Sequence, residues 1–118
     1  MPLDADIEAL DLDGPACKVC IDERWTVEEV DAEVRRYRAF LHAIRHYPGS
    51  PLAPSHRVDK VWHAHILDTQ KYIADCQYIF GAYVHHYPYS GLRGEDDAEV
   101  QRRRFESTQQ LIATILSS

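Results

Sequence analysis

T-V-E-E-V-D-A-E-V-R-R-Y-R-A-F-L-H-A-I-R-H-Y-P-G, from Thr26 to Gly49, is the stretch whose reading decides the fold. Val27, Val30, Val34, Tyr37, Leu41 and Ile44 are separated by steps of 3, 4, 3, 4 and 3. That period places all six on one face of an α-helix. Thr26 is an N-cap type, and Glu29 three residues on completes a capping box. Pro48-Gly49 is a stop signal. One amphipathic helix of this length needs partners for its apolar face, and the rest of the chain supplies helices to meet it.

Before this helix, residues 1–25 read as an irregular segment. Asp6 to Leu10 allows one helical turn or two, and Asp13-Gly14-Pro15 is turn chemistry. Trp25 is expected to pack on the first long helix. After it, P-G-S-P-L-A-P-S-H at 48–56 is an ordered, proline-stiffened surface connection. Ser55 is a cap for a next helix with an apolar stripe of Val58, Val61, Trp62 and Ile66. Asp68-Thr69 favours a break and a fresh start, with Tyr72, Ile73, Cys76, Ile79 and Phe80 facing inward. Gly81 closes that segment. The aromatic, turn-rich run 82–94 reads as an ordered His/Tyr-rich loop. A last helix begins near Glu95, its acidic first turn suiting the helix dipole. The expected architecture is all-α, a single domain over 1–118 with three to four main helices around one core and a family-like helical part from residue 26.

Totals narrow the function. With 118 residues the chain is long enough for one core. Its net charge is −6, and its one dense basic run, Arg102-Arg103-Arg104, is flanked by Glu95, Asp96, Asp97, Glu99 and Glu106. That is a salt-bridged helix surface and not a phosphate track, so no nucleic-acid partner is expected. No window reaches the roughly 18 apolar residues of a membrane span. The acidic start M-P-L-D-A-D-I-E is no secretory signal, and three cysteines fit a reducing compartment. A cytoplasmic protein without a membrane partner is the expectation.

Chemistry concentrates in Val58 to Pro88, which holds four of the seven histidines: His63, His65, His85 and His86. Asp59 and His63, four apart, share a helix face. His65 and Asp68, three apart, can pair likewise. His63 and His65 point about 200° apart on a regular helix. Either the helix unwinds after Ala64, or one histidine ligates while the other packs, or the two serve different purposes. Asp59, His63 and His86 would supply three ligands from two segments and leave a position open for zinc, iron, manganese or copper. His65 and His85 are further ligand candidates, and His65 with Asp68 is the acid–base candidate. Metal-assisted hydrolysis or oxidation of a small molecule is the chemistry such a set permits. The competing reading makes the same residues a hydrogen-bonded polar core in a metal-free module that binds a protein partner.

His42 and His46, four apart, lie beside the apolar seam and read as solvated or partly packed, with a metal role as the lesser alternative. Cys17-x-x-Cys20 is half a zinc motif or a redox pair. A site joining Cys17, Cys20, Cys76 and a histidine is the cysteine alternative, although Cys76 falls on an apolar face. Tyr83, Tyr87 and Tyr89 surround the histidine pair and read as packing that orders the loop. No phosphate loop, G-x-S-x-G elbow or HExxH motif is present.

V-D-K-V-W-H-A-H-I-L-D-T-Q-K-Y-I-A-D-C, then F-G-A-Y-V-H-H-Y-P-Y-S-G-L-R-G, resembles the glycine-rich domain-containing protein-like family, in particular short bacterial members without the glycine-rich part. Tyr37 to Leu41 and Pro54-Ser55 extend the likeness, and W-H-x-H with a later H-x-P is its signature. The resemblance implies that Asp59, Trp62, His63, His65, Tyr72, Cys76 and His86 matter here. It implies no reaction, and the RNA-binding role of plant relatives belongs to a separate domain. Cys17-x-x-Cys20 is outside its pattern.

Overall fold

The computed structural model describes residues 2–86 and 94–117. Among these, every regular element is a helix: α1 (Ala5–Glu8), α2 (Asp13–Glu23), α3 (Val27–His46), α4 (His56–Leu67), α5 (Thr69–Phe80) and α6 (Glu95–Leu116). The all-α class is as expected, and the helix count is higher. The difference lies at the N-terminus, where Asp13-Gly14-Pro15 is the first turn of α2 and not a loop. Proline is tolerated in a first helical turn because its missing N–H would have no partner there.

α3 is the central element, packed against α1, α2, α4 and α6. Its start is the capping box expected: Glu29 N–H donates to Thr26 Oγ1 at 3.1 Å, and Thr26 N–H donates to Glu29 Oε1 at 3.1 Å. Glu29 also accepts from Arg57 of α4 at 2.6 Å, and the Arg57 guanidinium lies over the Trp25 ring. Val30, Tyr37 and Leu41 are buried, but so are Ala39, Phe40, His42 and Ala43. A helix wrapped on several sides buries more than one stripe, whereas Val27, at the helix start, is exposed.

α4 and α5 form a helical hairpin broken at Asp68, whose φ of −81° and ψ of 74° leave the helical region. Asp68 makes no side-chain cap hydrogen bond, so the break is a backbone event. Ser55 caps α4 through Val58 N–H at 3.1 Å. Ile73, expected inside, is exposed on α5, while Tyr72, Cys76 and Ile79 are buried. Gly81 ends α5 with φ of 71°, a left-handed conformation that favours glycine.

The proline-rich connection is tied to α6 by one buried residue. The Ala53 N–H donates to Thr108 Oγ1 at 2.9 Å, and the Thr108 hydroxyl donates to the Arg104 carbonyl at 2.7 Å. No described helix is long and apolar enough to cross a membrane.

Candidate metal centre

α4 runs unbroken through His63, Ala64 and His65, so the two histidines part company as the helical period requires. His63 is exposed and meets Asp59 one turn earlier, with Nε2 3.4 Å from Oδ2. His86, on the segment after α5, places Nε2 2.5 Å from Asp59 Oδ1. Its ring lies 4.3 Å from the Trp62 ring and 4.8 Å from that of His63, between centroids. One ligand atom from each of Asp59, His63 and His86 falls within 4.8 Å of the others. The ligand–ligand edge of a tetrahedral zinc site is about 3.3 Å, given bonds near 2.0 Å. Small rotamer adjustments of His63 and a lengthened His86–Asp59 contact would bring all three to that spacing.

His86 is held from behind. Trp62 Nε1–H donates to the Tyr72 hydroxyl at 3.0 Å, and that hydroxyl donates to the Val84 carbonyl at 2.6 Å. The segment carrying His86 is thereby pinned to α5, and the Trp62 ring lies beside the imidazole at a tilt of 49°. Burial pushes the Tyr72 hydroxyl well above the usual phenol range, so it stays protonated and donating.

His65 goes the other way, into the core. Its Nδ1 lies 2.7 Å from the Tyr37 hydroxyl and its Nε2 2.8 Å from Asp75 Oδ2. Asp75 also receives Lys71 at 3.0 Å. Desolvation lowers the His65 pKa, against the opposing pull of Asp75. The neutral tautomer that satisfies every partner has Nε2–H donating to Asp75 and Nδ1 accepting from Tyr37. Burial raises the Tyr37 hydroxyl well above its ordinary value, which keeps it a donor. Of the alternatives open for His63 and His65, unwinding after Ala64 is ruled out, and His65 packs. Asp68 is exposed, and the partner of His65 is Asp75, reached across the hairpin. Asp75 and Tyr37 were missed as partners because neither is a neighbour of His65 in sequence.

His85 is exposed, its ring 4.7 Å from that of Tyr83. It stands outside the three-residue group but lines the same cleft. That cleft, about 570 Å³, is walled by His56, Asp59, Trp62, His85 and His86, by the proline-rich connection, and by Gln101 and Arg104 of α6. Tyr87 and Tyr89 lie outside the described residues, as does Pro88.

A second group of the same composition, Asp4, His42 and His46, joins the N-terminus to α3. His42, expected at least partly solvated, is fully buried. The cysteines do not assemble. Cys17 is exposed, Cys20 donates its thiol to the Trp25 carbonyl at 3.2 Å, and Cys76 is buried in the core. Among the described residues no cysteine joins a metal-ligating group, which removes the Cys17–Cys20–Cys76 alternative.

Fold and site together define a small helical protein with an open histidine–carboxylate group at the mouth of a cleft. A family model, UCP032817-like, matches residues 21–110. The chain therefore belongs to the UCP032817-like family. The match spans the capped start of α3, the hairpin and most of α6. Its description names no activity and gives no link to glycine-rich-domain proteins, so the likeness drawn from the W-H-x-H stretch narrows to membership of this family. No curated protein and no solved structure matches the chain.

Proposed function

We propose that Asp59, His63 and His86 hold a divalent transition metal whose open coordination position faces the cleft. The observation that carries this reading is convergence. Three ligand atoms from two separate segments gather within 4.8 Å beside a cleft that can admit a small molecule. Two imidazoles and a carboxylate suit zinc, iron, manganese or copper. An ion there would lower the pKa of a bound water or polarise a substrate oxygen, which is the basis of metal-assisted hydrolysis or oxidation. The chain's own groups would hold the ion and shape its access. Trp62 excludes water from one side, and because a ligand imidazole must present a free nitrogen lone pair to an ion, affinity would fall with acidity. His85 and His56, on the same cleft, are the side chains placed to exchange protons with a bound molecule.

The test is elemental analysis of untagged protein purified without chelators. Near-stoichiometric metal, lost in His63→Ala and in His86→Ala with the fold intact, is the expected result. Full metal content in both variants would sink the assignment.

A second reading is favoured by the direct His86–Asp59 contact, which needs no ion to hold the segment after α5 against α4. In that reading the cluster is a hydrogen-bonded latch in a protein-interaction module. A thermal melt unchanged by chelator or added metal, together with a destabilised His86→Ala, would select it.

A further inference from the structure

We infer that the cleft and the groove adjoining it bind a monocarboxylate bearing an apolar chain, with its carboxylate on Arg104. The argument begins in the run Arg102-Arg103-Arg104. Arg102 is bonded to both Glu99 and Glu106, and Arg103 to Glu99. Arg104, on another side of α6, makes no ion pair among the described residues and lines the cleft that Asp59 and His86 share. It also lines a second groove of about 530 Å³. A guanidinium fork left unpaired at the junction of two hollows matches the planar, two-oxygen face of a carboxylate.

Charge sets the class more narrowly. The chain carries a net charge of −6, and Asp59 stands on the same cleft. Arg103 also lines the adjoining groove but is already paired with Glu99 at 3.2 Å, so the one arginine without an ion pair among the described residues balances a single negative charge. A phosphate dianion would call for more cations or a glycine-rich cradle of backbone N–H groups, and the sequence has none. The adjoining groove then sets the rest of the molecule. Pro51, Leu52, Val100 and Leu111 give it apolar walls, and Val100 is 43 % exposed. An alkyl or aryl chain leaving Arg104 along these residues would cover surface that water now wets. The walls are fixed relative to one another, because Thr108 joins the Ala53 amide to the Arg104 carbonyl. This pocket stands on Arg104 and the groove and does not require the ion of the preceding reading.

The experiment is calorimetric titration of octanoate, acetate and octanol into the wild type, Arg104→Gln and Val100→Asp, each confirmed folded by circular dichroism and each metal-free and zinc-loaded. Wild type should bind octanoate at least about ten-fold more tightly than either control, the scale of one charge-assisted contact. Arg104→Gln should erase the preference for octanoate over octanol. Val100→Asp should weaken octanoate and leave acetate unchanged. Octanoate binding no tighter than that of octanol, or equal in wild type and Arg104→Gln, would overturn the inference. Zinc titration of the same samples keeps the two ideas separate. Zinc uptake without a carboxylate preference sinks this pocket alone, whereas a carboxylate preference without uptake of zinc, iron, manganese or copper supports it and sinks the metal reading.

Discussion

Two clusters in this protein have the same composition and opposite surroundings. Asp59 and His86 line a cleft with His63 beside them, and Asp4, His42 and His46 clasp the N-terminus to α3. Each offers two imidazoles and one carboxylate at ligand spacing. The difference is Arg45. Its guanidinium lies 3.0 Å from Asp4 Oδ2, the oxygen that His46 Nε2 meets at 2.6 Å, and it binds Asp6 through two further contacts of 2.7 and 2.8 Å. An incoming cation would meet a fixed positive charge and a carboxylate already neutralised. His42 Nδ1, moreover, accepts the Asp4 backbone N–H at 3.3 Å. Asp59 has no arginine or lysine partner among the described residues, only its two histidines. Counting ligand types treats the clusters alike, and electrostatics separates them.

The comparison can be broken most directly by metal content. His63→Ala should take bound metal from near one equivalent to near none, while His46→Ala leaves it unchanged. Elemental analysis of both variants decides this, and metal lost from the His46 variant instead would reverse the assignment. Next in size is the contrast within α4. His65→Ala should keep its metal but lose about 2–4 kcal/mol in a urea melt, since it strands the buried Tyr37 hydroxyl and leaves Asp75 with Lys71 alone. A loss of metal with unchanged stability would show that His65 serves the site after all.

Arg45→Met sharpens the comparison from the other side. It should cost about 1–2 kcal/mol through the lost Asp4 and Asp6 contacts. It should also raise zinc affinity at the N-terminal cluster, measurable as a second binding event by calorimetry. No gain would mean that the burial of His42, and not charge, closes that cluster to metal.

The smallest effect is on pH. Desolvation, the leading cause in each case, lowers the pKa of His42 and of His65. Both are taken up neutral on folding, so the unfolded chain binds the proton more readily. Stability should be intact above the ordinary histidine pKa of about 6.5 and fall as pH drops below it towards the lowered folded values. Each group contributes at most about 1.4 kcal/mol per pH unit in that window. Asp4 and Asp6 are held below the usual carboxylate range by His46 and Arg45 respectively, so their contribution disappears only in more acidic solution. Urea midpoints at pH 7.5 and 5.5 measure the histidine part, and a flat profile would contradict neutral burial.

Much of the fold was legible because it is written locally. The Thr26–Glu29 box, the Ser55 cap, the Asp68 break and the Gly81 stop depend on residues within a turn of one another. The Asp59–His63 pair was legible for the same reason, being a spacing on one helix. What escaped required tertiary proximity. Asp75 answers His65 only because the hairpin folds back, Tyr37 only because α3 packs on α4, and Arg104 only because α6 closes the cleft. α2 was hidden by turn chemistry that proves to be its first turn. His42 was misjudged because its ring is enclosed by the N-terminal segment, which no helical wheel of α3 contains.

His86 meets Asp59 across a separation of 27 residues. A bond of that span is a staple across the hairpin, and its ends find each other only after α5 has turned back along α4. A metal ion bound only when both ends meet would lower the population in which they separate. Amide hydrogens at residues 82–86 would then exchange more slowly with solvent deuterium in the loaded protein than in the chelated one, while those of α2 would hardly change. The cluster would thus act as a removable fastener on the open end of the hairpin.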